Sequence, residues 1–284
     1  MSQRSSLFRQ ATSVSPAVAF AVVLLVGALP SRASAADDLY PFRAGVHSSR
    51  EHPLKQKQLQ ILLKELRFWT GLTEIGIDAN EQLSLGDRSR VAGGSVTARA
   101  LIIAAVGSQD SFILENRDHS PIIAFAQIAE TDDYVDAAGH RHGGWQLRID
   151  FSDFTNLRGD NASLASFDPA ISMLHELAHG VLKLRDPISP EDQLGDCERH
   201  INRMRAELGL PERQNYYPRS RRVITIESPT EVLQGELTFL QRSEQTQKKK
   251  TLLVTFNLHR VGGKEVPFRI GSTALARRFY VGTR

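Results

Sequence analysis

The sequence predicts an α+β fold in which a mixed or antiparallel sheet packs on one central helix. Three observations support this. Apolar residues recur at helical spacing after Asp168-Pro169, residues 145–151 alternate apolar and polar side chains, and the segments after a second downstream helix are strand-like. We therefore expect the sheet to precede the central helix, and a helical and then β-rich part to follow it.

The first 35 residues are predicted to be a secretory signal peptide. Arg4 and Arg9 form a basic start, residues 17–29 are apolar, and Ala33-Ser34-Ala35 matches a small-x-small cleavage site. An uncleaved N-terminal anchor is the alternative. We expect residues 36–53 to form an irregular N-terminus or a pro-segment and residues 54–284 to form the functional domain. The location expected for such an exported chain is the periplasm or the medium.

Charge gives no indication of a nucleic-acid partner. The chain has 35 Lys and Arg against 32 Asp and Glu, and cleavage after Ala35 removes three basic residues and no acidic ones. Residues 241–284 hold ten basic residues and two acidic ones. That end is predicted either to contact an anionic surface or to be a solvated charged face.

The single cysteine, Cys197, excludes an intramolecular disulfide. It falls on the apolar face of a predicted helix, where a buried structural thiol is the expected state. An exported chain without disulfides must depend on its hydrophobic core, which is more typical of a bacterial periplasmic or secreted enzyme than of a small disulfide-rich module.

Spacing and turn residues predict the elements before the central helix. We expect helices at 54–70 and 97–106, each closed by a glycine, and a polar loop at 129–143. Strands are predicted at 74–77, 112–115, 122–128 and 145–151. Strand 145–151 is half polar and is predicted to be the sheet edge on which an extended substrate pairs.

The central helix carries the chemistry. Residues four apart share one helix face, so His175 and His179 can direct both imidazoles to one point, with Glu176 beside them. Two neutral imidazoles are two of the three protein ligands that a catalytic zinc ion needs, and Glu176 is placed to take a proton from water in the open position. This H-E-x-x-H pattern is typical of zinc metallopeptidases. The alternative is a core helix with two buried histidines.

The third zinc ligand is predicted downstream. A glycine three residues after His179 and a His or Asp six after it would define one known type of site, but Leu182 and Arg185 stand there. Glu198 lies nineteen residues after His179, in the first turn of a helix predicted at 197–208, and is the expected ligand. Asp196 is the alternative, although it also suits a helix N-cap.

The pattern His175-Glu176-Leu177-Ala178-His179 with Glu198 resembles the gluzincin branch of the zincin metallopeptidases. Residues 202–216 are similar to a segment of bacterial effector- and toxin-type zinc metallopeptidases, in which a Glu-Asn pair precedes an arginine-containing helix. Here Ile201 precedes Asn202, which leaves Glu198 and Asp196 both open as ligands. The resemblance spans residues 168–217 and implies a zincin-like fold that binds Zn²⁺ and hydrolyses amide bonds.

We therefore expect a zinc metallopeptidase that acts on a peptide or protein, with Glu176 as general base. Other residues could donate to the transition-state oxyanion or orient a ligand imidazole. The candidate donors are Tyr216, Tyr217, Arg213, His140 and His142, and the candidate orienting residues are Asn202 and Asp196.

Two other functions are consistent with the same residues. One is a secreted protein that binds zinc without catalysis, which a closed site with four protein ligands would favour. The other is a zinc amidase acting on cell-wall or small-molecule amides. Strands predicted at 223–226, 237–240, 252–261 and 266–270 make up the C-terminal β-rich part, about 221–284, and a hairpin turn is predicted at Gly262-Gly263.

Overall fold

The structure, a computed structural model, describes residues 43–136, 138–188, 192–225, 228–243 and 248–261. Within these ranges the helices are α1 (Gln56–Thr70), α2 (Val96–Val106), α3 (Phe151–Thr155), α4 (Asn161–Ala165), α5 (Pro169–Leu182) and α6 (Gly195–Glu207). The strands are β1 (Gly45–Ser48), β2 (Gly76–Ile77), β3 (Leu83–Ser84), β4 (Ser111–Asn116), β5 (Ala126–Val135), β6 (Arg141–Ile149), β7 (Glu212–Arg213), β8 (Arg219–Thr225), β9 (Ser228–Arg242) and β10 (Lys249–Asn257). The α+β class is confirmed.

The sheet before the central helix has four strands in the order β1-β4-β6-β5. Strands β1, β4 and β6 run parallel, and β5 pairs antiparallel with β6. The sheet is therefore mixed, as predicted, and β5 is the edge strand on the side of the central helix.

Two expectations about this sheet are wrong. Residues 129–143 do not form a loop, because β5 continues to Val135 and β6 begins at Arg141. Strand β6 is not the edge, because it lies between β4 and β5. Its polar residues lie on the sheet face opposite the larger core, where Arg148 pairs with the buried Glu115 of the neighbouring strand at 3.6 Å, so half-polar alternation distinguishes the two sheet faces here and does not mark an edge.

The central helix α5 begins as predicted. Asp168 is its N-cap and accepts a 2.8 Å hydrogen bond from the Ile171 amide, and Pro169 occupies the first turn. Gly180 lets the helix approach the sheet closely, since a Cβ there would lie 2.5 Å from the ring of Phe112. The helix ends at Leu182, and the next residue, Lys183, is its C-cap, whose left-handed φ of 56° turns the chain back.

Two hydrophobic cores meet near α5. The larger core lies between the mixed sheet and helices α1, α2, α5 and α6, and Trp69, Leu174 and Phe112 are fully buried in it. The smaller core lies under the C-terminal hairpin of β9 and β10 and includes Phe125 and Phe239. Burial of such side chains is worth about 1.5–3 kcal/mol each, and the larger core, which contains the buried apolar residues of α5, holds that helix in place.

Most of the other predicted helices and strands are present in the described residues. Helices α1, α2 and α6 and strands β4, β8, β9 and β10 confirm the predictions for those segments, with shifted ends. The predicted strand 122–128 begins only at Ala126, because Phe125 has a positive φ of 62°. The predicted signal peptide, the strand 266–270 and the turn at Gly262-Gly263 lie outside the described residues.

All described residues belong to one compact unit. None of the helices in the described part of the chain is long and apolar enough to cross a membrane.

Candidate metal centre

The two histidines of α5 converge as the helical spacing predicts. Their ring centroids are 4.9 Å apart. Nδ1 of His179 is 2.7 Å from the carbonyl oxygen of Leu184, and a proton donated there leaves Nε2 as the free ligand atom. His175 is buried, and the side chain of His179 is 17% exposed.

Asp186 supplies a carboxylate at the point where the two imidazoles meet. Its Oδ1 lies 3.1 Å from Nε2 of His175 and 3.3 Å from Nε2 of His179. Ligand atoms of a tetrahedral zinc ion, each at about 2.0–2.1 Å from the metal, are separated by roughly 3.3–3.4 Å. Both distances from Asp186 are therefore close to those of a zinc site, and the ligand atoms of the three residues all lie within 4.8 Å of one another.

Cys197 lies in the same cluster. Ligand atoms of His175, His179, Asp186 and Cys197 all lie within 4.8 Å of one another. The thiol donates to the backbone oxygen of His175, with Sγ at 3.3 Å, and is fully buried. The sequence correctly predicts a buried thiol, but it does not predict a position beside the two imidazoles.

Glu198 lies behind His175, outside that four-residue cluster. Its Oε2 is 3.4 Å from Nδ1 of His175, the nitrogen that faces away from Asp186. Arg205 and Arg213 hold the carboxylate from the other side, the latter at 3.2 Å. Burial opposes ionisation of Glu198, but the two guanidinium groups outweigh it and lower its pKa well below the usual range. A permanent carboxylate here orients the imidazole.

The other predicted ligand, Asp196, points into solvent. Its side chain is 69% exposed and pairs with Arg199 at 3.0 Å. As the alternative third ligand it has no support from this geometry, because α6 turns it away from the helix face that carries Glu198. Asp186 is the carboxylate that the sequence analysis missed.

Glu176 is placed as a general base. Its carboxylate accepts a 3.0 Å hydrogen bond from the amide of Ile128 on edge strand β5. Burial raises the pKa of Glu176, and the nearby imidazoles of His175 and His179 partly offset the rise. A carboxyl whose pKa is moved toward neutrality can both take and return a proton near pH 7.

The pKa values of the histidines reflect the same anionic surroundings. Burial lowers the pKa of His179, but hydrogen bonding to Asp186 and Cys197 outweighs it and raises the value to about 11. The pKa of His175 is also raised, since Cys197, Asp186 and Glu198 outweigh burial. The acidic groups around the two imidazoles thus favour a positive charge there, which a bound cation would supply in place of protons.

Tyr216 contacts the centre from the loop after β7. Its hydroxyl donates to Oδ2 of Asp186 at 2.6 Å, and its ring stacks on His175 with centroids 5.7 Å apart. Burial and the charge of Asp186 raise the pKa of Tyr216 well above its usual value, so the group remains a donor. In this state the tyrosine fixes the Asp186 carboxylate.

The remaining predicted residues lie farther back or elsewhere. Asn202 bonds the backbone of Arg213 through both ends of its amide, at 2.7 and 2.8 Å, and so ties α6 to β7. The Arg213 guanidinium is committed to Glu198 and to two backbone oxygens.

Tyr217 donates to the carbonyl of Pro187. His140 and His142 lie at the turn between β5 and β6 and bond Asp136.

A pocket opens against His175 and Glu176. Its walls are mainly apolar and come from both hydrophobic cores. The apolar residues include Phe125, Phe167, Ile171 and Ile201, and the polar lining includes Glu198, Arg205, Arg213 and Tyr216.

Two features of this pocket destabilise the folded protein. Phe125, a bulky residue, adopts a positive φ of 62°, and its amide and carbonyl are held by Asp153 and Asp150, each at 2.9 Å. Such backbone costs about 1–3 kcal/mol and is found preferentially at functional sites. Ser172 is only 7% exposed, and its hydroxyl has no hydrogen-bond partner among the described residues. Both features favour a pocket that receives a ligand.

Comparison of this chain with protein-family models, with curated protein sequences and with solved structures finds no match. The functional assignment therefore depends on the residues and their geometry.

Proposed function

We propose that this protein is a zinc-dependent hydrolase of amide bonds, and that peptides or proteins are its substrates. The observation that carries the proposal is the convergence of His175 Nε2, His179 Nε2 and Asp186 Oδ1 beside Glu176, with His175 and Glu176 also lining a pocket. Two imidazoles and one carboxylate fit zinc, and when bound to such a set zinc lowers the pKa of water to about 7 and polarises a carbonyl.

The residues of the chain divide the remaining work. Glu176 takes the proton of the attacking water on its carboxylate and delivers it to the leaving nitrogen. The Ile128 amide fixes that carboxylate at 3.0 Å, and Glu198 fixes the ring of His175. Tyr216 donates its single hydroxyl proton to Asp186 at 2.6 Å, so it would bind the developing oxyanion only by exchanging that hydrogen bond.

Two features favour a peptide as the substrate. Among the described residues, strand β5 is paired on one side only, by β6, so its other edge offers backbone groups to an extended chain. Ile128 of this strand contacts Glu176, which places that edge next to the general base. The mainly apolar pocket is then suited to a hydrophobic side chain next to the scissile bond.

Glu176→Gln tests the proposal. The amide keeps the shape of the side chain but cannot accept the proton, so we expect zinc content to be retained and turnover to fall by about 10²–10⁴-fold. The assay is the appearance of new N-termini in a denatured protein mixture, read by mass spectrometry. Glu51→Gln, at an exposed position, is the matched control. Equal cleavage by both variants would contradict the role of Glu176.

A structural zinc site is the second candidate function, because Cys197 offers a fourth protein ligand. Four protein ligands close a site to water, whereas three leave it open. The general-base position of Glu176 and the pocket beside it favour the open site.

A further inference from the structure

The turn between β5 and β6 holds a second group of metal-ligating side chains. We propose that Asp136, His140 and His142 bind a second divalent transition-metal ion, for which Zn²⁺ is the reference case. This inference is independent of the proposed hydrolase activity, since none of the three residues belongs to the centre on α5.

The geometry of the three ligand atoms suits a small cation. Oδ2 of Asp136 lies 2.9 Å from Nε2 of His142 and 3.3 Å from Nδ1 of His140. The ligand atoms of this group all lie within 4.8 Å of one another. Tetrahedral zinc separates its ligand atoms by roughly 3.3–3.4 Å, so small side-chain adjustments suffice.

The backbone of the turn fixes the carboxylate. Oδ1 of Asp136 accepts hydrogen bonds from the amides of Ala138 and His140, both at 2.9 Å. The Asp136 amide donates to the His140 carbonyl at 3.0 Å and closes the turn. One carboxylate oxygen is thus occupied by amides, and the other is directed at the two imidazoles.

Charge and donor type select the metal. The Asp136 side chain is partly exposed, and a carboxylate in contact with water is charged at neutral pH. Two imidazoles with one carboxylate favour Zn²⁺, Ni²⁺ or Cu²⁺ over Mg²⁺ or Ca²⁺, which prefer oxygen ligands.

Sequence spacing is compatible with this site, because residues two apart on an extended chain share one face. His140 belongs to the turn just before β6, and His142 lies in the first residues of that strand. The two rings lie 6.4 Å apart at an angle of 80°. Both imidazoles therefore lie on the side of the hairpin that carries Asp136.

A bound ion would join the turn to the start of β6. His142 pairs with Tyr134 across the hairpin, so the ion would hold the end of edge strand β5 against β6. We expect slower hydrogen exchange at the amides of the turn when zinc is bound.

The test is the amount of zinc bound per chain after equilibrium dialysis at a fixed free Zn²⁺ concentration. Five forms of the full chain are compared: the unmodified chain, His142→Ala, Asp136→Asn, His179→Ala and the control His259→Ala, an exposed histidine after β10. We expect His142→Ala and Asp136→Asn each to bind about one ion fewer, and His259→Ala to bind as much as the unmodified chain. Circular dichroism confirms the fold of each variant.

Zinc binding by His142→Ala and Asp136→Asn equal to that of the unmodified chain would overturn the second site. His179→Ala separates the two metal centres. Loss of an ion in His179→Ala reports the centre on α5, and loss in His142→Ala reports the turn. If only the second loss occurs, the turn site stands while the proposed hydrolase fails.

Discussion

The third zinc ligand is decided by the position of single carboxylates. Asp186 reaches both Nε2 atoms, whereas Glu198 reaches the opposite nitrogen of His175 and is held there by Arg205 and Arg213. Glu198 stays a prediction as a ligand, but the distances favour Asp186 in that role and Glu198 as its orienting partner.

Substitution of each carboxylate separates these roles. Asp186→Asn removes the charged ligand, so we expect this variant to bind no zinc at the centre on α5. Glu198→Gln keeps the ligands but weakens the orientation of His175, and affinity should fall by about 10–100-fold. Asp196→Asn, at the exposed position, should match the unmodified chain. Competition with a chromogenic zinc chelator measures all three.

The opposite order of effects would restore Glu198 as the ligand. If Glu198→Gln abolished binding at this centre and Asp186→Asn retained it, the assignment of Asp186 would be wrong.

Cys197 decides between an open and a closed site. Cys197→Ala deletes the fourth ligand that a structural site would need. We expect zinc at the α5 centre and hydrolysis both to be retained, because three ligands and a water suffice for catalysis. Peptide cleavage at saturating zinc is the measurement. Loss of the ion together with a fall in melting temperature would instead favour structural zinc.

Residue spacing predicts only part of this site. His175, Glu176 and His179 follow from helical periodicity, which is local. Asp186 does not, because it stands seven residues after His179, beyond the helix end, and the left-handed turn at Lys183 brings it back. Sequence spacing alone does not reveal that backbone reversal. A carboxylate shortly after the helix end is the signal that could have identified it.

Two carboxyl groups, Asp168 at the N-terminus of α5 and Glu65 on α1, are costly to ionise. Asp168 caps the helix and accepts a 2.8 Å hydrogen bond from Trp69, and burial raises its pKa to about 6. Burial, with the charge of Asp168, raises the pKa of Glu65 on α1 to about 8. The folded protein therefore holds protons that the unfolded chain releases above pH 4.5, and its stability should fall as pH rises from about 5 to about 8.

Glu65→Gln tests this coupling of helix packing to pH. The neutral amide has no proton to lose, so the fall in unfolding free energy between pH 5 and pH 8 should be smaller by roughly 1–3 kcal/mol, discounted for partial exposure. Urea unfolding at both pH values measures it. Glu130→Gln, exposed on β5, is the control. Identical pH dependence in Glu65→Gln and the unmodified chain would contradict the raised pKa.

At the scale of elements, strongly periodic segments are predictable and sheet position is not. Helices α1, α5 and α6 have an apolar stripe, α2 is a mostly apolar run, and the side chains of Ser95 and Asp168 cap α2 and α5. The edge strand is misidentified because the alternation in β6 reports which sheet face is covered, whereas strand order depends on contacts between distant segments.

The whole molecule places the centre where its two cores meet. The mixed sheet and its helices supply His175, His179 and Glu176, and the segment after α6 supplies Tyr216. Phe125 and Phe167 of the smaller core form one wall of the pocket. The mixed sheet before the helix and the β-rich part after it are predictable from chain order, but the meeting of the two cores depends on packing that no single segment encodes.

An anomalous difference map at the zinc absorption edge, from crystals of the zinc-loaded full chain, locates the ion of the α5 centre directly. We expect a peak within about 2.0–2.2 Å of His175 Nε2, His179 Nε2 and a carboxylate oxygen of Asp186. A zinc-loaded crystal with no peak at these atoms would show that His175 and His179 are core histidines, and the proposed hydrolase would be contradicted.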